Sequence, residues 1–262
     1  MPKPTELPKE LREFNRIFQQ LEYRHDSAEV WKDFLDLFIK QFSFDDCEEL
    51  NQDIQRRYSQ TERHIFGELI QESLKTINEQ IKADTDWYDM FGTFYEVLGF
   101  TYKRKGFNQY FTPAYLVDLM TVINANDKEL TGKGLLVGDP ACGSGRMLIS
   151  FQAHYPGNFL IGQDLDMICC KMTILNMIIH GAKGEVVWGD SLNPEDFKGG
   201  WRIVPYYKGI PHVYAIDKAE SLTYQIWTSN KSKALTDTTE LKETQPSISS
   251  MEQPVQLEFN FQ

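Results

Sequence analysis

The chain has 262 residues, of which 41% are hydrophobic, and a formal net charge of -11 at pH 7. This length is enough for one sizeable domain and an appendage. No apolar run is long enough for a membrane span, and residues 1–4 do not read as a signal peptide, so we expect a cytoplasmic protein. The acidic charge predicts weak DNA binding by the chain alone, because affinity for DNA comes largely from neutralising phosphates. The four cysteines do not have the spacing of a zinc site or a disulfide framework.

Helical spacing characterises the N-terminal part of the chain. Within residues 7–83 apolar side chains recur three or four positions apart, as in Phe14, Phe18 and Leu21. These stripes predict a helical N-terminal domain over residues 1–84. They are most simply core positions, and a surface that contacts DNA or a partner is the alternative.

A predicted buried strand ends in an acidic residue and a glycine turn. Leu135, Leu136 and Val137 form the apolar run, Asp139 follows at its carboxyl end, and residues 140–145 contain two glycines one residue apart. Glycines in such a turn let a ligand approach the backbone. A helix is predicted to begin near Arg146, which completes a strand, turn and helix of the kind that binds nucleotides.

Two further strands are predicted to end in the same way. Asp164 closes the strand 159–164, about 20 residues after the glycines, at the interval where an acidic residue binds ribose hydroxyls in doubly wound folds. Asp190 follows the strand 184–188. Ligands of open α/β sheets bind at this edge. The turn lacks the third glycine of the dinucleotide fingerprint, which argues against a dehydrogenase.

The run 139–145, Asp-Pro-Ala-Cys-Gly-Ser-Gly, resembles the S-adenosylmethionine motif of DNA N6-adenine methyltransferases, and most closely that of the modification subunit of type I restriction systems. The resemblance extends over roughly residues 85–192. It implies a Rossmann-like class I methyltransferase fold, in an S-adenosylmethionine-dependent methyltransferase domain over residues 85–216. The other stretches that carry it are Asp86–Glu96, Asn108–Pro113 with Leu116–Met120, Gly162–Asp166 with Asn176 and His180–Gly181, and Gly189–Leu192.

The resemblance also implies roles in binding S-adenosylmethionine. Asp139 and the turn amides would hold the amino-acid end of the cofactor, Asp164 the ribose hydroxyls, and Asp190 the adenine amine. Turn or cap positions are the alternative for each aspartate. The full set of implied cofactor-binding residues is Tyr110, Phe111, Thr112, Pro113, Asp139, Pro140, Ala141, Gly143, Gly145, Asp164, Leu165, Asp190, Ser191 and Leu192.

One family motif is missing. A fourth strand should end in Asn/Asp/Ser-Pro-Pro-Tyr/Phe, which accepts hydrogen bonds from the target amine while its ring stacks on a flipped base. Residues 201–207 lie about where that strand should be, and Pro205 and Tyr206 are the candidate catalytic residues, although a side-chain acceptor is lacking. The pair Asn193–Pro194 is predicted to be only a turn.

The C-terminal part is predicted to be a flexible polar tail over residues 217–262. Residues 228–254 are rich in Thr, Ser, Lys, Glu and Gln, a composition that does not offset the entropy of ordering. The tail is too short and polar for target recognition, which a separate specificity subunit supplies in type I systems. Gln256–Phe261 resembles the peptide that docks on the bacterial sliding clamp; chance alternation, or a strand added to the protein's own sheet, is the alternative.

Three functional hypotheses result. The first is adenine-N6 DNA methylation that depends on S-adenosylmethionine, by a divergent enzyme or one subunit of a restriction-modification assembly. The second is a non-catalytic, cofactor-binding partner of another methyltransferase, which the missing motif suggests. The third is a methyltransferase for RNA, protein or a small molecule, which Phe111–Pro113 and the surroundings of Asp190 disfavour by resemblance.

Overall fold

Helices form the first part of the chain and a mixed sheet forms the last part. The computed structural model describes residues 7–43, 48–83, 86–102, 111–124, 128–193, 195–207 and 210–229. The α-helices in these ranges are α1 (Arg12–Glu22), α2 (Ser27–Lys40), α3 (Glu48–Arg57), α4 (Gln60–Ala83), α5 (Met90–Tyr102), α6 (Ala114–Asn124), α7 (Arg146–His154) and α8 (Met167–Ile179). The strands are β1 (Leu136–Asp139), β2 (Phe159–Asp164), β3 (Lys183–Gly189), β4 (Phe197–Tyr207) and β5 (Ile210–Ile216).

The N-terminal helices pack around an aromatic core. The helical spacing of the sequence corresponds to α1–α4, and α2 begins where the Asp26 carboxylate accepts a hydrogen bond from the Ala28 amide at 3.0 Å. The ring of Phe14 contacts that of Phe94 of α5 edge to face, with centroids 4.7 Å apart. This cluster also includes Met172 of α8. The core continues past residue 84 and does not mark a boundary there. The domain boundary predicted at that residue therefore stays a prediction.

The first three strands form the parallel part of the sheet. They lie in the order β1-β2-β3, with Val137 opposite Leu160 and Leu160 opposite Gly184. Helices α7 and α8 make the two crossovers and pack on these strands. Asp139, Asp164 and Asp190 therefore follow three adjacent strands at one side of the sheet, which we call the carboxyl edge. The three predicted strands and their acidic ends are confirmed. The first strand is not buried as predicted, because among the described strands it lies at the end of the sheet order, with Leu135 38% and Leu136 54% exposed.

The fourth strand does not lie where the sequence predicted. β4 pairs antiparallel with the outer side of β3, with Phe197 opposite Gly189 and Ile203 opposite Gly184. Residues 204–207 therefore extend past the edge opposite the carboxyl edge, and the placement of Pro205 and Tyr206 beside the cofactor site is wrong. The physical reason is the short link 190–196, since a parallel crossover needs about a dozen residues or more.

The segment after β5 is held by a buried carboxylate. Residues 222–229 are helical, and Glu185 of β3 accepts hydrogen bonds from Ser221 Oγ at 3.0 Å and from the Thr223 amide at 2.9 Å. The prediction that a flexible tail begins at residue 217 is therefore wrong for residues 217–229. Residues 230–262, with Gln256–Phe261, lie outside the described residues. Within the described ranges, every helix is too short or too polar to cross a membrane.

Candidate cofactor-binding site

The glycine turn after β1 has a backbone that only glycine adopts easily. Gly143 has φ 55° and Gly145, directly before α7, has φ 87°, both in the left-handed region. A Cβ atom on Gly143 would lie 2.8 Å from ring carbons of Phe111, and one on Gly145 would lie 3.0 Å from Thr173. Side chains are thus excluded at both positions, and the Gly145 amide closes the turn by donating to the Cys142 carbonyl at 2.7 Å.

Three aspartates surround this turn. Asp139 accepts a hydrogen bond from the Ala141 amide at 3.1 Å, and Asp190 accepts one from the Leu192 amide at 2.9 Å. Asp164 joins the second strand to the turn, because its carboxylate accepts from the Gly143 amide at 2.9 Å. The structure therefore brings together the acidic residues that the sequence singled out, one from each parallel strand.

Burial disfavours the charged form of two of these carboxylates. Burial raises the pKa of Asp139, and the nearby charge of Asp164 raises it further. Burial also raises the pKa of Asp164, although the hydrogen bonds from the amides of Asp166 and Gly143 lower it in part. Carboxylates in this condition favour a cationic ligand, which compensates the lost hydration, and disfavour phosphates.

Exposed leucines flank the acidic positions. Leu165, next to Asp164, is 60% exposed, and Leu192, two residues after Asp190, is 93% exposed. The Trp188 indole donates a hydrogen bond to the Leu165 carbonyl at 2.9 Å, which fixes the backbone between β2 and β3. Large apolar side chains beside hydrogen-bonding groups are typical of pockets for an aromatic ring. Pro140, Ala141 and Ser191 lie in the connecting turns.

A buried carboxylate holds the turn from behind. Asp89 is 3% exposed and lies directly before α5, where it accepts a hydrogen bond from the Gly92 amide at 2.8 Å. It also accepts from Ser144 Oγ at 2.6 Å, Arg146 Nε at 2.7 Å and Asn176 Nδ2 at 2.7 Å. One side chain thus joins the start of α5, the glycine turn, α7 and α8.

Arg146 connects this cluster to the segment 111–113. Its guanidinium donates to the Thr112 carbonyl at 3.1 Å and to Glu96 at 3.1 Å, and its central carbon lies 5.2 Å from the centroid of the Phe111 ring. The Phe111 amide in turn donates to Glu96 at 3.0 Å. Phe111 is therefore held against the turn, with Pro113 directly before α6. Tyr110 lies outside the described residues.

Sequence reasoning singled out the acidic and glycine residues of the carboxyl edge and missed those that position them. Asp89 and Asn176 lay in the stretches that carried the resemblance, but they received no role, and neither did Arg146. One signal was available: Arg146 is a charged residue directly after the turn, followed by the apolar residues Met147 to Ile149. Such a residue needs buried acidic partners. Cys142, whose pKa is raised by burial, is part of the turn's packing.

The parallel strands, the glycine turn and the acidic carboxyl edge define an α/β protein with the Rossmann-like fold of class I methyltransferases. Within this class, residues 86–214 match the N-6 DNA Methylase family. This match agrees with the resemblance seen in the sequence.

Individual relatives agree with the family match. The chain is 33% identical over 147 residues to the type I restriction enzyme MjaVII methylase subunit of Methanocaldococcus jannaschii, a match that covers 52% of this chain and 24% of that protein. It is 33% identical over 119 residues to the MjaIX methylase subunit of the same organism, over 42% of this chain and 20% of that protein. The chain thus spans about a quarter of the length of these relatives or less.

A solved structure was also found. It is the type I restriction-modification methyltransferase subunit from Streptococcus thermophilus, with a TM-score of 0.34 and 20% identity, covering 71% of this chain and 45% of that one.

Proposed function

We propose that this chain binds S-adenosylmethionine at its carboxyl edge and provides the cofactor-binding part of an adenine-N6 DNA methyltransferase. The observation that carries the proposal is the joining of the glycine turn to Asp164 by the hydrogen bond from the Gly143 amide. This bond brings the glycine turn and the acceptors for ribose hydroxyls into one site.

The charge of the site supports this cofactor. S-adenosylmethionine carries a sulfonium and an ammonium group, and the desolvated carboxylates of Asp139 and Asp164 suit a cation. A pyrophosphate ligand would need basic groups. Arg146 cannot serve, because Asp89 and Glu96 already bind its guanidinium. The cationic cofactor is therefore preferred to a dinucleotide.

Each residue of the site has a proposed task. Asp139 and the amides around Gly143 and Gly145 hold the amino-acid end, and Asp164 accepts the ribose hydroxyls with the capacity its two oxygens retain. Asp190 accepts from the adenine amine, and the exposed Leu165 or Leu192 packs on the ring. Phe111, Thr112 and Pro113, held by Arg146, cover the methionine end.

The reaction needs more than this site. The bound cofactor supplies an electrophilic methyl group, and the target is an exocyclic amine whose lone pair is delocalised into the ring. Acceptors that hydrogen-bond this amine increase its nucleophilicity, and the base must leave the duplex to reach them. Pro205 and Tyr206 lie past the opposite edge, so the role of this chain is proposed to be cofactor binding and orientation.

DNA recognition is proposed to come from another subunit. The relatives are named as methylase subunits of type I restriction enzymes, and we extend this to the present chain as one part of such an assembly. The net charge of -11 supports the division of labour, because phosphate binding needs basic surface.

Calorimetry tests cofactor binding. We expect S-adenosylmethionine to bind the full chain, and Asp164→Ala to weaken binding by about 10- to 100-fold, because hydrogen bonds to a charged group contribute roughly 1.5 to 3 kcal/mol. Asp190→Ala should also weaken binding with little effect on the fold, because among the described residues its carboxylate bonds only to the nearby Leu192 amide. Asp53→Ala, an exposed change on α3, is the matched control and should bind normally. No binding by the unchanged chain, or equal binding by all variants, would contradict the proposal.

A second candidate function is a non-catalytic cofactor-binding partner of another methyltransferase. The position of residues 204–207 past the opposite edge favours it. Methyl incorporation into unmethylated DNA by the purified chain distinguishes the two functions. Robust incorporation supports an enzyme, and cofactor binding without incorporation supports the partner.

A further inference from the structure

One peptide unit directly after β2 is held at both of its polar ends. Its N–H, that of Asp166, donates to Asp164 Oδ1 at 2.9 Å. Its C=O, that of Leu165, accepts from Trp188 Nε1 of β3 at 2.9 Å. Because a peptide unit is planar, its N–H and C=O cannot turn independently of each other. The indole N–H of Trp188 therefore fixes the direction in which the Asp166 amide points at the Asp164 carboxylate.

The side chain of Asp166 has a separate task. Asp166 is the N-cap of α8, and its carboxylate accepts a hydrogen bond from the Ile168 amide at 2.8 Å. Such a bond satisfies an amide that would otherwise lack a partner in the first turn of the helix. The side chain thus serves the helix, and the backbone amide serves Asp164. The orientation of this peptide unit matters for that reason.

The carboxylate of Asp164 is fixed by two amides on its two oxygens. Oδ2 accepts from the Gly143 amide at 2.9 Å, and Oδ1 accepts from the Asp166 amide. Rotamer preference alone does not fix this group, because the terminal torsion of an aspartate is broad. Hydrogen bonds weaken steeply when they are misaligned. A carboxylate that accepts two neighbouring hydroxyls of one ribose therefore depends on both amides.

Strand β4 holds the indole from its other side. The pairing of β3 with β4 skips one residue directly after Trp188, so Lys198 forms a bulge. Bulges occur next to active sites, where they re-aim a side chain. Lys198 Nζ lies 5.7 Å from the centroid of the Trp188 ring, within the range of a cation–π interaction. The strand that does not form the predicted fourth strand thus supports a residue beside the candidate site.

We propose that Trp188 is a positioning residue for the cofactor, which acts through the Leu165–Asp166 peptide unit to hold the Asp164 carboxylate in the orientation that accepts the ribose hydroxyls. The inference rests on the proposed function, because it takes these hydroxyls as the ligand of Asp164. It assigns the effect to one atom pair, the indole N–H and the Leu165 carbonyl.

A packing role is the competing explanation for Trp188. Its ring is half-buried and packs against the apolar core between the sheet and α8. Packing requires the ring but not its N–H, whereas positioning requires the N–H. Variants that remove the donor and keep an aromatic ring therefore separate the two roles.

Two variants remove the donor and one variant is the control. Trp188→Phe keeps an aromatic ring, and Trp188→3-benzothienylalanine keeps the bicyclic shape with sulfur in place of the N–H. Trp87→Phe is the matched control, since Trp87 Nε1 donates to Asp118 at 2.6 Å, away from the carboxyl edge. The second variant keeps the test valid where Trp188→Phe does not fold.

Calorimetry with two ligands gives the first readout. The ligands are S-adenosylhomocysteine and an analogue of it that lacks both ribose hydroxyls. We expect the unchanged chain to prefer the first by at least about 10-fold, as hydrogen bonds to a charged acceptor imply. Both Trp188 variants should bind S-adenosylhomocysteine about 3- to 10-fold more weakly, the effect of one neutral hydrogen bond, and bind the analogue unchanged. Trp87→Phe should alter neither affinity.

The pKa of Asp164, followed by NMR of its carboxyl carbon without ligand, gives the second readout. The hydrogen bond from the Asp166 amide lowers this pKa. Both Trp188 variants should therefore raise it, and Trp87→Phe should not. The titratable groups that interact with Asp164 include Asp139, Asp166 and the thiols of Cys142, Cys169 and Cys170. Burial raises the pKa of these thiols, so they stay protonated through the titration.

The outcomes separate this inference from the proposed function. No binding of either ligand by the unchanged chain overturns the proposed function, and this inference with it. Where the unchanged chain binds, equal weakening of both ligands in the Trp188 variants, unchanged affinities, or an unchanged pKa of Asp164 overturns the positioning role alone. The same changes in Trp87→Phe would also overturn it, because they would show a general effect of losing an indole donor.

Discussion

The substitution Asp89→Asn tests whether one buried carboxylate holds the candidate site together. It preserves the shape of the side chain and removes its charge. The side chains of Asp89 and Arg146 are 2% and 10% exposed, and the atoms of their ion pair are 2.7 Å apart. Removing one partner of a buried pair typically costs about 3 to 5 kcal/mol. Arg146 keeps its bond to Glu96 at 3.1 Å, so we expect the lower end, about 3 kcal/mol.

Urea unfolding followed by circular dichroism measures this loss. We expect a lower midpoint with an unchanged slope, because the surface exposed on unfolding stays the same. Asp118→Asn is the control: that carboxylate accepts from Trp87 Nε1 at 2.6 Å, but its side chain is 43% exposed, so we expect a loss below about 1 kcal/mol. Equal losses in both variants would refute the reasoning. Of these two variants, only Asp89→Asn should lose affinity for S-adenosylmethionine, because Asp89 bonds to the glycine turn through Ser144.

Three further outcomes are expected. Gly92→Ala should destabilise the fold strongly in a thermal melt, because its Cβ would lie 2.1 Å from Asp89 Oδ2, whereas Gly99→Ala on the same helix meets no atom within 4 Å and should stabilise by about 0.5 to 1 kcal/mol. Asp139→Asn should raise the melting temperature at pH 7 yet weaken cofactor binding, because burial raises the pKa of Asp139 and makes its charge costly to the fold. Lowering the pH through the raised pKa values of Asp139 and Asp164 protonates both groups and removes the cost of burying their charge, so their contribution to the free energy of unfolding should increase. Over the same pH range, calorimetry should show the affinity for S-adenosylmethionine falling. Unchanged melting in Gly92→Ala, an unchanged or lower melting temperature in Asp139→Asn, or an affinity independent of pH would contradict the respective argument.

Much of the carboxyl edge could be predicted because it depends on local rules. An apolar run followed by an acidic residue and a glycine turn identifies the end of a parallel strand, and Asp164 and Asp190 repeat this pattern at the expected intervals. Parallel strands place their carboxyl ends at one edge whatever the rest of the fold does. The roles of these residues in binding a cofactor stay predictions.

The errors arose where long-range pairing decides the structure. The sequence of residues 201–207 is suitable for a strand, but only the length of the link 190–196 determines that it returns antiparallel on β3. The cluster of Asp89 joins residues up to 87 positions apart. Its members look like ordinary helix positions until the fold brings them together. Glu185 was missed for the same reason, since its partners lie 36 to 38 positions later in the chain.

The candidate site is closed on one side and open on the other. The turn joins it to β2 through Asp164, and β3 adds Asp190, whereas past Asp139 no described strand continues the sheet. Ligands of doubly wound sheets lie where the strand order reverses, between the two halves. The glycine turn and the three aspartates therefore belong to the half formed by β1, β2 and β3.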